Sequence, residues 1–278
     1  MLHEEWRKSS RHGYELYVQQ WMPEAKPIKA IVCLAHGSGE HSSRYLNVAK
    51  EMTGNGFSVI AFDHYGHGRS EGKRGHFLSL EAALTDTASI IEEAGSKFPG
   101  VPIFLYGHSM GGNIALNCAL RLQPPIKGLI ATSPWLELAF KPPGFKIWLG
   151  KKLVKLLPEM HQSTGLKAED LYRSGNQNAI TMVGDPLSHT KITLKAFIEI
   201  EEGGQWALQH ASQLNVPFLL MHGNADRITS YAASNKLAGQ LGERCHFITL
   251  EGGYHELHHD IEGQKTIEQI ILWMNRQL

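Results

Sequence analysis

Residues 102–122 read Pro102-Ile-Phe-Leu-Tyr-Gly107-His-Ser109-Met-Gly111-Gly-Asn-Ile-Ala-Leu-Asn-Cys-Ala-Leu-Arg-Leu122. An apolar run that suits a buried strand leads into Gly107-His-Ser109-Met-Gly111, and an apolar, helix-like stretch follows at once. A strand that turns into a helix within so few residues presses its backbone against its neighbours, so glycines are needed where a side chain would clash. The same turn lifts the Ser109 hydroxyl clear of the sheet. By themselves these five residues could also be a glycine-rich turn with an idle serine. The strand before them and the helix after them single the serine out.

Working outward, short apolar runs at 30–35, 58–62, 128–131, 217–221 and 246–250 alternate with helical patterns at about 42–54, 79–97, 110–122, 231–240 and 262–276. Continuous apolar runs, unlike alternating ones, suit strands covered on both faces of a parallel sheet. Residues 3–22 instead suggest two antiparallel strands about a turn at Arg11-His12-Gly13, the second alternating through Tyr14, Leu16 and Val18. Right-handed crossovers then give a doubly wound, three-layer α/β sandwich. Residues 135–204 hold no convincing strand of that sheet, so they are expected to form a helical cap, or lid, inserted into a core made of 1–134 and 205–278. Pro142-Pro143-Gly144 and Gly203-Gly204 are candidate hinges.

The composition excludes several classes. The chain has 278 residues, 42% of them hydrophobic and 19% charged, ordinary values for a globular protein with a full core. With 27 basic and 27 acidic side chains the net charge is zero, so no long-range field points to nucleic acid. Cys33, Cys118 and Cys245 are odd in number, widely spaced and set in apolar runs. That suits buried free thiols in a reducing compartment better than disulfides or zinc ligands. The start, Met1-Leu-His-Glu-Glu-Trp-Arg7, lacks an apolar leader, and no run approaches the roughly 20 residues that span a bilayer. A soluble cytoplasmic protein is expected.

A serine hydroxyl is a poor nucleophile at neutral pH and needs a base, which in turn needs an orienting acid. For a nucleophilic serine in this fold the chain order is serine, acid, histidine. The run 217–221 is followed by His222-Gly-Asn-Ala-Asp226, and 246–250 by Glu251-Gly-Gly-Tyr-His255. Asp226 and His255 therefore come to the carboxyl edge of the sheet, where open α/β sheets place ligands. Asp226 could instead cap a turn, and His255 could belong to a surface patch with His258 and His259. Asp63, at the end of another strand, is the runner-up acid, although Gly66 and Gly68 after it suit a hydrogen-bonded turn. Oxyanion donors are expected from the backbone N–H of Met110 and from Ser38 in His36-Gly-Ser-Gly-Glu-His41. His255, His258, His259 and Asp260 lack a recognised ligand spacing, so no metal is expected.

These residues resemble the monoacylglycerol lipase-like α/β hydrolases, whose bacterial members are often labelled lysophospholipases. The resemblance rests on His36-Gly-Ser-Gly-Glu-His-Ser-Ser-Arg-Tyr45, Phe62-Asp-His-Tyr-Gly-His-Gly-Arg-Ser-Glu-Gly72, Gly107-His-Ser-Met-Gly-Gly112, Val216-Pro-Phe-Leu-Leu-Met-His-Gly-Asn-Ala-Asp226 and Gly253-Tyr-His-Glu-Leu-His258. It covers nearly the whole chain and is weakest in the cap. It implies the α/β-hydrolase fold, the triad Ser109, Asp226 and His255, an oxyanion hole of Ser38 and Met110, and contacts to a glycerol group from Glu40, Arg44 and His258. The implied activity is cofactor-free, two-step hydrolysis of a monoacylglycerol or lysophospholipid, with a small lipid ester as the only implied partner. Phe145, Trp148, Leu149, Leu153 and Leu156, with Lys151, Lys152 and Lys155 beside them, suit a lid over an acyl tunnel, a transient contact with a membrane surface, or simple packing on the core. Ser109 excludes the aspartate-nucleophile hydrolases of this fold, and proline iminopeptidases typically show Gly-Gly-Ser-Trp-Gly at this turn. A non-lipid carboxylesterase or serine aminopeptidase is the alternative, and after it a non-catalytic receptor.

Overall fold

The computed structural model describes the chain except for residues 26, 141–149, 151 and 174–183. An eight-stranded sheet forms the middle layer. Its strands in chain order are β1 Leu2–Ser9, β2 Glu15–Met22, β3 Ala30–Ala35, β4 Phe57–Phe62, β5 Ile103–His108, β6 Gly128–Thr132, β9 Phe218–Gly223 and β10 Cys245–Leu250, and they lie side by side as β1-β2-β4-β3-β5-β6-β9-β10. β1 pairs antiparallel with β2 and β2 with β4; every other pairing in the sheet is parallel. A separate ribbon joins β7 His161–Ser163 to β8 Lys191–Thr193.

Period-two alternation sends each buried strand to both outer layers. Ala30, Val32 and Leu34 of β3 pack with α1 Leu46–Gly54 and α7 Gly263–Gln277 on one face. Ile31, Cys33 and Ala35 pack on the other face with α2 Leu80–Lys97, α3 Met110–Arg121, α5 Leu194–His210 and α6 Tyr231–Leu241. That double coverage is why these strands read as continuous apolar runs. A further short helix, α4, spans Ala168–Leu171. Ser79 and Ser230 cap α2 and α6 by accepting from Ala82 and Ala233 N–H. All three cysteines are free thiols, Cys33 and Cys118 buried and Cys245 partly so. Among the described residues no helix is long and apolar enough to cross a membrane.

Between β6 and β9 the chain leaves the sheet to form the β7–β8 ribbon, α4 and α5. Gly203 and Gly204 are not at a break in the chain but inside α5, against the core. A Cβ on Gly204 would stand 2.2 Å from the Leu136 carbonyl oxygen, so the glycine permits a close helix approach. Asn113 and Asn117 of α3 donate to the Ile200 and Gly203 carbonyls at 2.9 and 3.1 Å, tying α5 to the layer behind Ser109. Phe145, Trp148, Leu149, Lys151 and the hinge at 142–144 lie outside the described residues.

Candidate active site

β5 ends at His108 and α3 begins at Met110, leaving Ser109 between them at φ 53°, ψ −117°. A non-glycine residue there carries strain of about 1–3 kcal/mol, which the surroundings must hold in place. The Ser109 N–H donates to the Thr132 carbonyl at 3.0 Å, and the Ser109 carbonyl accepts from Asn113 and Trp135 N–H at 3.1 and 3.0 Å. A Cβ on Gly111 would lie 2.1 Å from the Ala35 carbonyl oxygen, so only glycine lets α3 start this close to β3.

Three distant segments meet at this turn. Ser109 Oγ lies 2.9 Å from His255 Nε2, and His255 Nδ1 lies 2.8 Å from Asp226 Oδ2. Asp226 Oδ1 accepts from the Ile228 and Thr229 N–H groups at 2.7 and 3.1 Å, while His222 Nε2 and Thr229 Oγ1 approach Oδ2 at 3.1 and 2.8 Å. Burial pushes the Asp226 pKa up, but His255 and the bonds from His222 and His255 hold it well below the usual carboxylate range. Burial pushes His255 down and Asp226 pulls it up; the net shift is above the ordinary imidazole value of 6.5. Ser133 Oγ donates to the His255 carbonyl at 2.8 Å and steadies its backbone.

The sign of the His255 shift gives a testable pH profile. An imidazole that accepts the serine proton must be neutral, so kcat/KM is expected to fall as pH drops through a midpoint above 6.5. A rate that stays flat down to pH 5 would contradict this. His108, its ring 5.0 Å from His255, is pushed by burial and by His255 to about 4 and does not titrate in that window.

The loop after β3 folds over the turn. A Cβ on Gly37 would lie 3.3 Å from Ser109 Cβ and 2.8 Å from Glu40 Oε1, so this loop also needs glycine for a close approach. Glu40 Oε1 accepts from the Gly37 N–H at 2.6 Å and from Tyr45 O–H at 2.7 Å. Ser38 lines the same cavity as Ser109. Met110 opens α3, where first-turn N–H groups have no acceptor within the helix.

The cavity holds about 270 Å³. Trp135, Leu138, Ile192, Leu194, Phe197 and Ile198 form apolar walls, and Glu40 and Glu256 stand near Ser109 and His255. Of the three residues expected to meet glycerol, only Glu40 lines it. Arg44 is 2% exposed, with Nε on Glu40 Oε2 at 3.1 Å and Nη2 on Glu256 Oε2 at 2.7 Å and on Tyr172 Oη at 2.9 Å. His258 is buried, stacked on Tyr45 with ring centres 4.6 Å apart and edge-on to His108 at 4.9 Å.

His258 and His259 are thus no surface patch. With Glu256 they form the one group among the described residues whose potential metal-ligand atoms gather, within 4.8 Å of one another. Glu256 Oε2 is already shared by Arg44 and by His259 Nδ1 at 2.7 Å, so a metal ion would face a buried guanidinium. Asp260 pairs with Arg173 instead. Asp63, the runner-up acid, accepts from Ser42 N–H and Oγ and from Arg69 N–H, at 2.7, 2.6 and 2.7 Å, and ties two loops together.

Four contributors were missed in the sequence: His222, Thr229, Ser133 and Glu256. The first two sit within four residues of Asp226 and could have been suspected as its partners. Ser133 and Glu256 act across more than 100 residues, at separations of 122 and 212, and nothing local marks them.

A mostly parallel sheet carrying a serine in such a turn is the architecture of the α/β hydrolases, and this molecule is a serine hydrolase of that class. Residues 26–262 match the family model Hydrolase_4, described as "Serine aminopeptidase, S33". Over 95% of the chain and 88% of the relative, it is 30% identical to a monoglyceride lipase of Homo sapiens. It is 34% identical, over 95% of its length, to an uncharacterized abhydrolase domain-containing protein of Dictyostelium discoideum, of which it spans 28%. The crystal structure of a Paleococcus ferrophilus monoacylglycerol lipase superposes with a TM-score of 0.85 at 34% identity, covering 95% of this chain and 99% of that one. The chain belongs to the monoglyceride lipase-like α/β hydrolases of the Hydrolase_4 family.

Proposed function

We propose that the protein hydrolyses monoacylglycerols, or similar single-chain acyl esters, to a fatty acid and an alcohol. The observation that carries this reading is an apolar chamber of about 270 Å³ opening onto a serine already hydrogen-bonded to a histidine and carboxylate in series. Ser109 attacks the ester carbonyl as His255 takes its proton, and the oxyanion is met by the N–H groups of Ser38 and Met110. His255 then protonates the departing alcohol. In the second step it activates water, which releases the fatty acid from Ser109. Asp226 orients the imidazole and stabilises its charged form. The names of the human and Paleococcus relatives support the choice of ester.

The described residues of 135–204 act in this reading as the cap over the acyl chain, and α5 continues past residue 204 to His210. Leu156, Leu157 and Met160 are 78%, 51% and 42% exposed, near Lys152 and Lys155, which suits contact with a lipid surface. One panel tests the whole reading: a monoacylglycerol below and above its critical micelle concentration, a diacylglycerol, a short p-nitrophenyl ester and an aminoacyl anilide. The monoacylglycerol is expected to give the highest kcat/KM, rising when it forms an interface. Preference for the anilide would replace the lipase reading with the peptidase one.

A further inference from the structure

Beside Ser109 and His255 the described wall of the chamber is acidic. Among the described residues that line it, Glu40 and Glu256 are the only carboxylates, and no lysine or arginine joins them. The Arg44 guanidinium bonds to both but does not line the chamber: its side chain is 1% accessible, against 4% for each glutamate. Glu256 directly follows His255, the group that would hand a proton to the leaving alcohol. Glu40 flanks Ser109 from the other side, across the space left by the missing side chain of Gly37.

We propose that Glu256, with Glu40, determines the class of alcohol that the enzyme releases, admitting esters of neutral polyols or cationic amino alcohols and turning away those whose alcohol carries a phosphate. This rests on the ester-hydrolase reading above. Arg44 bonds to both carboxylates and balances one negative charge, while His259 shares Glu256 Oε2 with it. Burial pushes both carboxyls up, but Arg44 acts to lower each, and each ends below its usual range and so stays ionised at neutral pH. A hydroxyl or ammonium arriving from the chamber meets acceptors. A phosphate meets like charge in a poorly solvated place, where Coulomb interactions are weakly screened. The resemblance implied that Arg44 would meet the head group alongside Glu40 and His258. The packing instead bonds the arginine to two carboxylates that line the chamber.

The test uses esters of one fatty acid: the monoacylglycerol, the acylcholine, the lysophosphatidylglycerol and the p-nitrophenyl ester. Each kcat/KM is divided by that of the p-nitrophenyl ester for the same protein, so a general loss of catalysis cancels. The wild-type enzyme is expected to favour monoacylglycerol and acylcholine over the phosphate-bearing ester by at least about tenfold. Glu256→Gln should shrink that ratio about tenfold, whereas Glu256→Asp, which keeps the charge, should retain it. Equal wild-type turnover of neutral and phosphate-bearing esters overturns the proposal, and does so even if Glu256→Gln fails to fold. An unchanged ratio in folded Glu256→Gln overturns the role of this residue. If no lipid ester is turned over while the p-nitrophenyl ester is, the underlying lipase reading has failed instead.

Discussion

Ser109→Ala is expected to fold normally and to lose on the order of 10⁴-fold or more of its ester turnover. The Ser109 hydroxyl is bonded to His255 Nε2, and alanine removes only that one oxygen while keeping Cβ. The strained turn stays, because alanine at φ 53° is no more strained than serine. His255→Ala should lose a similar factor, since the base and the later proton donor disappear together. The two losses should not add, as each removes a member of one unit. Asp226→Asn is expected to cost about as much in rate, by favouring the wrong imidazole tautomer. It should also cost stability, because the new amide group would face N–H donors from Ile228 and Thr229 or the His222 and His255 rings. The measurements are kcat/KM on a p-nitrophenyl ester, labelling by a fluorophosphonate probe, and a thermal melt of each variant. Near-normal turnover by folded, unlabelled Ser109→Ala would remove the serine from the mechanism.

The second large effect concerns stability. Arg44→Ala leaves Glu40 and Glu256 buried without the guanidinium that bonds to both, and breaking a buried ion pair from one side costs about 3–5 kcal/mol. Glu40 also holds the Gly37 N–H, so the loop that carries Ser38 should loosen. Because Arg44 does not line the chamber and touches lining residues Glu40 and Glu256, kcat/KM should fall on the p-nitrophenyl ester as well as on the monoacylglycerol. The pH dependence is diagnostic. Stranded, buried carboxylates have raised pKa values in the folded state and bind protons more readily there than when unfolded, so the deficit should shrink as pH falls. Thermal melts of wild type and Arg44→Ala at pH 8 and pH 5 check this. A deficit below about 1 kcal/mol at pH 8, or one that grows on acidification, would show that the buried cluster does not depend on Arg44.

Some of this molecule is written locally. The strands at 30–35, 58–62, 102–106, 128–131 and 217–221 could be read because burial on both faces demands unbroken apolar runs, whereas 246–250 is the half-buried edge strand and was legible from its apolar composition. The turn at Ser109 could be read because its glycines and flanking elements lie within about twenty residues. Asp226 and His255 could be picked out as candidates because each follows a strand end directly, and strand ends converge on one edge of a parallel sheet. Hydrophobic periodicity and backbone sterics are short-range constraints, so a short stretch of sequence reports them.

The tertiary structure alone decided which polar side chains meet, and on which side of the chamber wall each one stands. Glu256 looks in sequence like an ordinary exposed charge, as most glutamates are; it is buried because Arg44, 212 residues away, pairs with it. Arg44 looked like a head-group ligand, but it bonds to Glu40, Glu256 and Tyr172 and does not line the chamber. Gly203 and Gly204 looked like a hinge, yet they let α5 press against Leu80, Asn113 and Leu136. A buried charge is tolerated only where partners from other elements surround it, and those partners are brought together by packing over the whole chain rather than by neighbouring residues.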